Sequence, residues 1–327
     1  MLRYVVRRIV NYAILLFIAV SLAYLVASAT LDPRLAYDWQ NPNLNRASVY
    51  AKLTQYNINP LTSVWERYGN WLKMVFLHWD WGFTPKSESV NALLGTRVGV
   101  SLRLIVLGTL IGMVGGVAVG AWSAVRQYRW SDRVVSFLCL LFVSMPVMVL
   151  AVLLQMGATR INQATGTDLF QFIGESGSHG DHFGASFLNR LQHLLLPTIS
   201  LSVMGIASYS RYQRNLMLDT LGADYVRTAR AKGLRKSQAI RHHALRNAII
   251  PMATYFAFGV ATVFTGAAIT EKVYGWHGMG SYSVDSITGQ DINGTVGIVA
   301  FSGLCTLAGA LLSDILIAVI DPRVRAR

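Results

Sequence analysis

The sequence is poor in charged residues and in cysteine. Charged side chains make up 14% of its 327 residues, whereas soluble proteins carry roughly 25%, so a soluble globular domain is not expected. The two cysteines, Cys139 and Cys305, each lie inside an apolar run. They are too few for a disulfide framework or a cysteine-rich metal site. We interpret both as small residues that face lipid or the protein core.

Motifs of several enzyme classes are also absent. No Gly-x-x-x-x-Gly-Lys-Ser/Thr sequence occurs, so the chain is not expected to hydrolyse ATP by that route. No nucleophile-and-base pair or zinc-protease pattern stands out. The sequence HGDH, with His179, Asp181 and His182, supplies too few ligands for a convincing metal site. We interpret it as part of a flexible external loop and expect no catalytic residue, cofactor or metal in this chain.

Long apolar runs are abundant. Hydrophobic residues make up 53% of the chain, and about 20 residues of helix at 1.5 Å per residue cross the hydrocarbon core. The first run would be long for a signal peptide, so we predict that it is retained. We predict an all-α polytopic membrane protein with six transmembrane helices: Ile9–Ala29, Val98–Trp122, Asp132–Gly157, Leu191–Ser210, Ile249–Thr270 and Gly294–Ile320.

Two features within these runs predict how the helices behave. Pro146 interrupts the third run, and we expect a kink there, because neighbouring groups can satisfy the freed backbone. Small residues on one helix face let helices approach closely in lipid, which predicts a close contact along the second run. Five of its glycines each lie three or four residues from another, at Gly108, Gly112, Gly115, Gly116 and Gly120.

The basic residues are unevenly distributed and predict the orientation. The N-terminus, the loop 126–133, the segment 211–246 and the C-terminal tail hold 18 of the 29 Lys and Arg residues. Lys and Arg favour cytoplasmic loops, so we predict cytoplasmic termini and a multi-pass location in the plasma (inner) membrane. We divide the chain at residues 97 and 98.

The two parts have different predicted contents. Residues 1–97 hold the first transmembrane helix and an extracytoplasmic region, in which Leu61–Leu77 forms an interfacial helix. Residues 98–327 hold five transmembrane helices and the basic segment 211–246.

This basic segment contains a predicted helix–glycine–helix. Asp224 near the start and basic residues near the end suit the helix dipole, and Gly233 suits the left-handed position that ends a helix. Ser237 is the expected cap of a second helix that leads into the fifth span. Three interpretations remain: positive-inside anchoring, nucleic-acid binding, and docking of the short helix to a soluble partner. Nucleic-acid binding is least favoured, because Tyr225 is the only Phe, Tyr or Trp residue between positions 224 and 251.

The segment also resembles a known family. DYVRTARAKGL from Asp224, HALRN from His243 and the later Pro251 resemble the cytoplasmic loop of ABC importer permeases, in the form of the dipeptide/oligopeptide branch. Arg227-Thr228-Ala229 stands where Glu-Ala-Ala is usual, and Leu245-Arg246 where Leu-Pro is usual. Similar segments follow the same order along the chain: MLRYVVRRI at the start, SMPVMVL from Ser144, ITEKVYGWHGMG from Ile269 with His277 where proline is common, and DPRVR from Asp321.

The resemblance implies the type I ABC importer permease fold and the role of a permease subunit in an ATP-driven dipeptide/oligopeptide importer. The implied partners are a second homologous permease, two ATPase subunits or one fused ATPase that bind ATP and Mg, an extracytoplasmic substrate-binding protein, the peptide and membrane lipid. Nucleic acid is not expected. The helix at about 223–233 would couple to the ATPase, through Asp224, Tyr225, Val226, Arg227, Thr228, Ala229, Arg230, Ala231, Lys232, Gly233 and Leu234.

Two acidic residues lie nearest to membrane depth, where a charge costs about 2.5–3.5 kcal/mol. Glu271, next to Lys272, and Asp314 are candidate gating or structural residues, together with Pro146. For Asp314 we favour pairing with an Arg or a helix backbone over substrate contact. Two alternatives stay open: the same family with nickel chelates, glutathione or oligosaccharides as cargo, and a secondary transporter or channel that uses the two acids.

Overall fold

The computed structural model describes residues 2–177 and 183–320. The HGDH sequence and the DPRVR tail therefore lie outside the described residues. Regular structure within these ranges is helical, apart from one isolated β-bridge between Phe83 and Ser89. The helices are α1 Leu2–Thr30, α2 Arg46–Gln55, α3 Val64–His78, α4 Val90–Val125, α5 Trp130–Ser144, α6 Val147–Thr165, α7 Phe183–Leu221, α8 Asp224–Ala231, α9 Lys236–Ala239, α10 Arg246–Val273, α11 Met279–Thr288 and α12 Ile292–Ile320, with a 3-10 turn Pro33–Ala36 and a π-helical turn Ile240–Leu245.

Five helices in the described residues are long and apolar enough to cross a membrane. The prediction of an all-α chain with several apolar helices is therefore confirmed. The predicted fifth run lies within the continuous helix α10, Arg246–Val273. The five candidate spans are Val6–Thr30, Val90–Val125, Val147–Thr165, Phe187–Leu221 and Ile292–Ile315.

The predicted third span is two helices, so the expectation of one kinked helix at Pro146 is wrong. Helix α5 ends at Ser144, and Met145 has extended backbone angles of φ −89° and ψ 130°. Pro146 then caps the start of α6, where its carbonyl accepts hydrogen bonds from the Val149 and Leu150 N–H groups. A proline has no N–H and disfavours helical geometry in the residue before it, which accounts for the break.

The chain divides into two compact units. One contains Met1–Leu102 and His277–Leu307, and the other contains Arg103–Trp276 and Ala308–Arg327. These units are defined by which residues pack together. The predicted division at residues 97 and 98 instead separates an extracytoplasmic region from a group of membrane helices. That division stays a prediction.

In the unit that contains α1, an aromatic core joins α1 to α3. The ring of Tyr24 lies 5.7 Å from that of Tyr68 and 4.9 Å from that of Trp71, and Phe17 lies 5.9 Å from Phe76. Residue numbers rise along α3 as they fall along α1, so the two helices run antiparallel, side by side. The helix predicted over Leu61–Leu77 thus forms, as α3, while its interfacial location stays a prediction.

In the other unit, α4 packs closely on α7 through the predicted row of glycines. A Cβ atom on Gly112 would lie 3.2 Å from the Gly205 Cα, and one on Gly120 would lie 2.9 Å from the Gln213 Cβ. Side chains there would force the helices apart. This contact confirms the close approach predicted for the second apolar run, and it brings the end of α4 beside the end of α7.

Candidate functional site around helix α8

Helix α8 is the short helix that the sequence predicts in the basic segment. Its first turn contains Asp224 and its last turn contains Arg230, the arrangement that the helix dipole favours. No side chain caps its start; instead the Ala223 carbonyl accepts hydrogen bonds from the Val226 and Arg227 N–H groups. Arg227 and Asp224 lie 3.8 Å apart but are largely exposed, so this ion pair adds little to stability.

Gly233 ends α8 as predicted. Its φ is +93°, in the left-handed region, which glycine adopts at little cost. The Gly233 N–H donates to the Arg230 carbonyl at 3.0 Å, and the Leu234 N–H donates to the Ala229 carbonyl at 3.3 Å. These two bonds form a Schellman motif, which often includes an apolar contact; here Leu234 packs against the buried cluster that contains Ala229. The glycine therefore fixes both the length of α8 and the direction of the chain that leaves it.

The two faces of α8 differ in chemistry. Val226 and Ala229, three residues apart, are buried and form the inner face. Tyr225 is 41% exposed and is the one large apolar group on the outer face. The remaining exposed residues on α8 and its C-terminal end are polar or small, and they carry a net positive charge: Asp224, Arg227, Thr228, Arg230, Ala231 and Lys232.

The inner face of α8 packs on a group of buried residues from α4, α7 and the segment 239–248, which we call the platform. Val226 and Ala229 belong to one buried cluster with Ala124 of α4 and Met217 of α7. The cluster also includes Ala239, Ala244 and Ala248 of the segment that leads through α9 into α10. Small side chains bring these backbones close together. A displacement of α8 would therefore push directly on the platform.

The second predicted helix begins two residues earlier than expected. Helix α9 starts at Lys236 after Arg235, so the prediction of Ser237 as its cap is wrong. The Gln238 side-chain oxygen accepts a hydrogen bond from the Arg235 N–H at 3.2 Å, which fixes the earlier start. The π-helical turn Ile240–Leu245 then joins α9 to α10 without a break. Such turns occur often at functional sites.

Asp132 holds the platform together and was missed as a site residue. It is 3% exposed, and its two oxygens accept hydrogen bonds from Arg214 Nε and Nη2, each at 2.9 Å. Ser123 Oγ and the Tyr128 N–H also donate to this carboxylate. Asp132 and Arg214 are 82 residues apart in sequence, so the sequence does not reveal that they pair. The one signal that it offers is an acidic residue at the start of an apolar run.

The two acids predicted at membrane depth lie on two other long helices. Glu271 on α10 is fully buried, and its carbonyl accepts a hydrogen bond from the Trp276 N–H at 2.8 Å. Asp314 on α12 is partly buried. A gating role for either, or for Pro146, stays a prediction. Within residues 2–177 and 183–320, no group of three or more His, Cys, Asp or Glu side chains could hold a metal ion.

Known proteins resemble this chain along nearly its whole length. Residues 116–326 match the family described as binding-protein-dependent transport system inner membrane component. The oligopeptide transport system permease protein OppB of Mycobacterium tuberculosis is 46% identical over 330 residues, with 99% of both chains covered. The oligopeptide transport system permease protein AppB of Bacillus subtilis is 28% identical over 99% of both chains. The dipeptide transport system permease protein DppB of Lactococcus lactis is 27% identical over 99% of this chain and all of its own.

Proposed function

This chain belongs to the family of binding-protein-dependent transport system inner membrane components, and we propose that it is a permease subunit of an ATP-driven importer of dipeptides or oligopeptides. It forms half of the translocation pathway and performs no chemistry itself. Relatives named as oligopeptide and dipeptide transport permeases support peptides as the cargo. Nickel chelates, glutathione and oligosaccharides are the competing cargoes, which uptake competition against peptides distinguishes.

The geometry of α8 is the observation that carries the coupling role. The helix is short, its inner face is buried on the ends of α4 and α7, and its outer face is exposed and basic. A soluble partner that gripped this outer face differently in two states would shift the balance between two conformations of the permease. We infer that the partner is an ATPase and that residues 224–234 form the contact.

The proposed topology has six spans: α1, α4, the broken pair α5 and α6, α7, α10 and α12. Both termini and α8 lie in the cytoplasm, because the basic residues concentrate in those segments. ATPase subunits, as a pair or as one fused chain, bind ATP and Mg below the membrane. A second homologous permease completes the pathway, and a substrate-binding protein delivers the peptide from outside.

Substitution of Gly233 tests this function against a matched control. Apart from its chain neighbours, no residue has an atom within 4 Å of the position of a Cβ on Gly233, so Gly233→Val acts through the left-handed φ of +93°. Gly222, just before α8, has the same open surroundings without a left-handed φ. Backbone strain of this kind costs about 1–3 kcal/mol. We expect Gly233→Val to insert in the membrane but to lose ATP-dependent peptide uptake or ATPase assembly, whereas Gly222→Val retains both.

Uptake in membrane vesicles that contain the whole transport complex is the measurement. Equal ATP-dependent uptake by Gly233→Val and the unsubstituted complex would overturn the coupling role of α8. Uptake by the unsubstituted complex that needs an ion gradient and no ATP would instead favour a secondary transporter.

A further inference from the structure

The carboxylate of Asp132 joins parts of the chain that meet beneath α8. Ser123 lies near the end of α4, Tyr128 lies in the following loop, and Arg214 lies on α7. Asp132 itself is in the first turn of α5. One buried side chain thus links the ends of α4 and α5 to α7, through four hydrogen bonds to its two oxygens.

These partners are next to the residues on which α8 rests. Ser123 directly precedes Ala124, and Arg214 lies three residues before Met217, which places Arg214 and Met217 on neighbouring positions of one helix face. Ala124 and Met217 both belong to the buried cluster that holds Val226 and Ala229. Two of the residues that bind Asp132 therefore occupy positions adjacent to platform residues, on α4 and on α7.

The chemistry of the pair favours a geometric role. A planar guanidinium donates two parallel hydrogen bonds to one carboxylate, which fixes orientation as well as distance. Asp132 is buried and Arg214 is partly exposed. Such an ion pair adds little net stability compared with apolar residues, although loss of the cation beside a buried carboxylate is costly. Arg126 and Arg133 lie closer in sequence to Asp132, yet both are exposed, and Arg214 of the distant helix α7 makes the paired contact.

We propose that Asp132 and Arg214 form an ionic clamp that transmits the movement of α8 from α7 to α4 and α5. The clamp rests on the proposed coupling function. Movement of α8 displaces the end of α7, and the clamp makes α4 and α5 follow as one body. Without it, α5 and the end of α4 would follow α7 through apolar packing alone, and ATP hydrolysis would continue with less import. Asp132 and Arg214 are thus positioning residues, which act through α4, α5 and α7.

Asp132→Asn is the first test variant. The amide keeps the size of the side chain but replaces one acceptor oxygen with an NH2 donor, which faces a guanidinium that has only donors, so the charge and one of the two parallel hydrogen bonds are lost. Arg214→Lys keeps the positive charge but lacks the planar guanidinium. The double exchange Asp132→Arg with Arg214→Asp restores an ion pair with the acid on α7 and the base on α5. The matched control is Glu175→Gln, which breaks the half-exposed Arg103–Glu175 pair at 3.3 Å in the same compact unit.

The measurement is the number of peptides imported per ATP hydrolysed, by the whole complex in proteoliposomes. We expect this ratio to fall about tenfold in Asp132→Asn, a coupling free energy in the usual range, while the ATPase subunits still co-purify. The ratio for Arg214→Lys should lie between that of Asp132→Asn and that of the unsubstituted complex. The exchange should recover part of the ratio, and Glu175→Gln should leave it unchanged.

Two results would overturn the clamp. One is an unchanged ratio in Asp132→Asn. The other is a parallel fall of assembly, thermal stability and uptake with no recovery in the exchange, since that pattern describes folding alone. Either result leaves the proposed function standing if Gly233→Val still abolishes ATP-dependent uptake. Absence of ATP-dependent uptake in the unsubstituted complex would refute the function itself.

Discussion

At the scale of single residues, the sequence predicts positions that obey local rules. Gly233 is predictable because few other residues adopt a left-handed φ without strain, and the structure gives it +93°. The prediction of Ser237 as a helix cap is wrong because a competing local interaction starts the helix earlier. The Gln238 side chain accepts a hydrogen bond from the Arg235 N–H. The pairing of Asp132 with Arg214 follows no local rule, since tertiary packing brings them together.

The glycine row yields a prediction at this scale. A Cβ atom on Gly120 would press into Arg214, Gln213 and Ser210 of α7, with the Gln213 Cβ at 2.9 Å. Overpacking of this kind typically costs about 1–3 kcal/mol, so Gly120→Ala should lower the thermal unfolding temperature of the purified complex.

Gly95 on the same helix is the control for this substitution. Apart from its chain neighbours and the backbone of its own helix, nothing lies within 4 Å of the position of a Cβ on Gly95, and alanine is the better helix former. Gly95→Ala should therefore keep or slightly raise the unfolding temperature. Equal destabilisation by both substitutions would mean that the tight packing of α4 on α7 does not determine the outcome.

At the scale of elements, long apolar runs predict the helices, but proline effects depend on context. Pro197 lies inside α7 and Pro251 inside α10, and both helices continue through them. Pro146 instead separates α5 from α6. Whether a helix continues past proline depends on neighbours that satisfy the freed backbone groups. Those neighbours come from other parts of the chain, so a single apolar run does not reveal them.

Substitutions on the two faces of α8 should have different effects, on stability for the inner face and on ATPase binding for the outer face. Val226 is 4% exposed on the inner face, so Val226→Ala should cost about 2 kcal/mol of stability through lost apolar burial. Tyr225 is 41% exposed on the outer face, and tyrosine often dominates binding at interfaces. Tyr225→Ala should weaken ATPase binding about tenfold while leaving the unfolding temperature of the permease unchanged.

Thermal unfolding and a titration with the purified ATPase subunits separate these effects. Loss of ATPase affinity in Val226→Ala alone, with Tyr225→Ala behaving as the unsubstituted chain, would place the docking surface elsewhere.

At the scale of the whole molecule, composition predicts a multi-pass membrane protein, and the family match supports it. Low charge and long apolar runs suffice for this, because an apolar run of about 20 residues satisfies all its backbone groups within lipid when it forms a helix. The proposed orientation depends on where Lys and Arg lie relative to the spans. The choice of cargo depends on the side chains that line the complete pathway, and we propose that a second permease supplies half of them. A single sequence therefore predicts the cargo only through its resemblance to known permeases.

The central claim is that α8 touches the ATPase and moves with it. A photo-cross-linking side chain at Thr228, exposed on α8, tests this in the whole complex, and the exposed Lys86 of the region proposed to lie outside serves as the control position. We predict a covalent adduct between Thr228 and an ATPase subunit whose yield changes when ATP binds, and none from Lys86. The same adduct yield from both positions, or none from Thr228 in an assembled and active complex, would contradict the account.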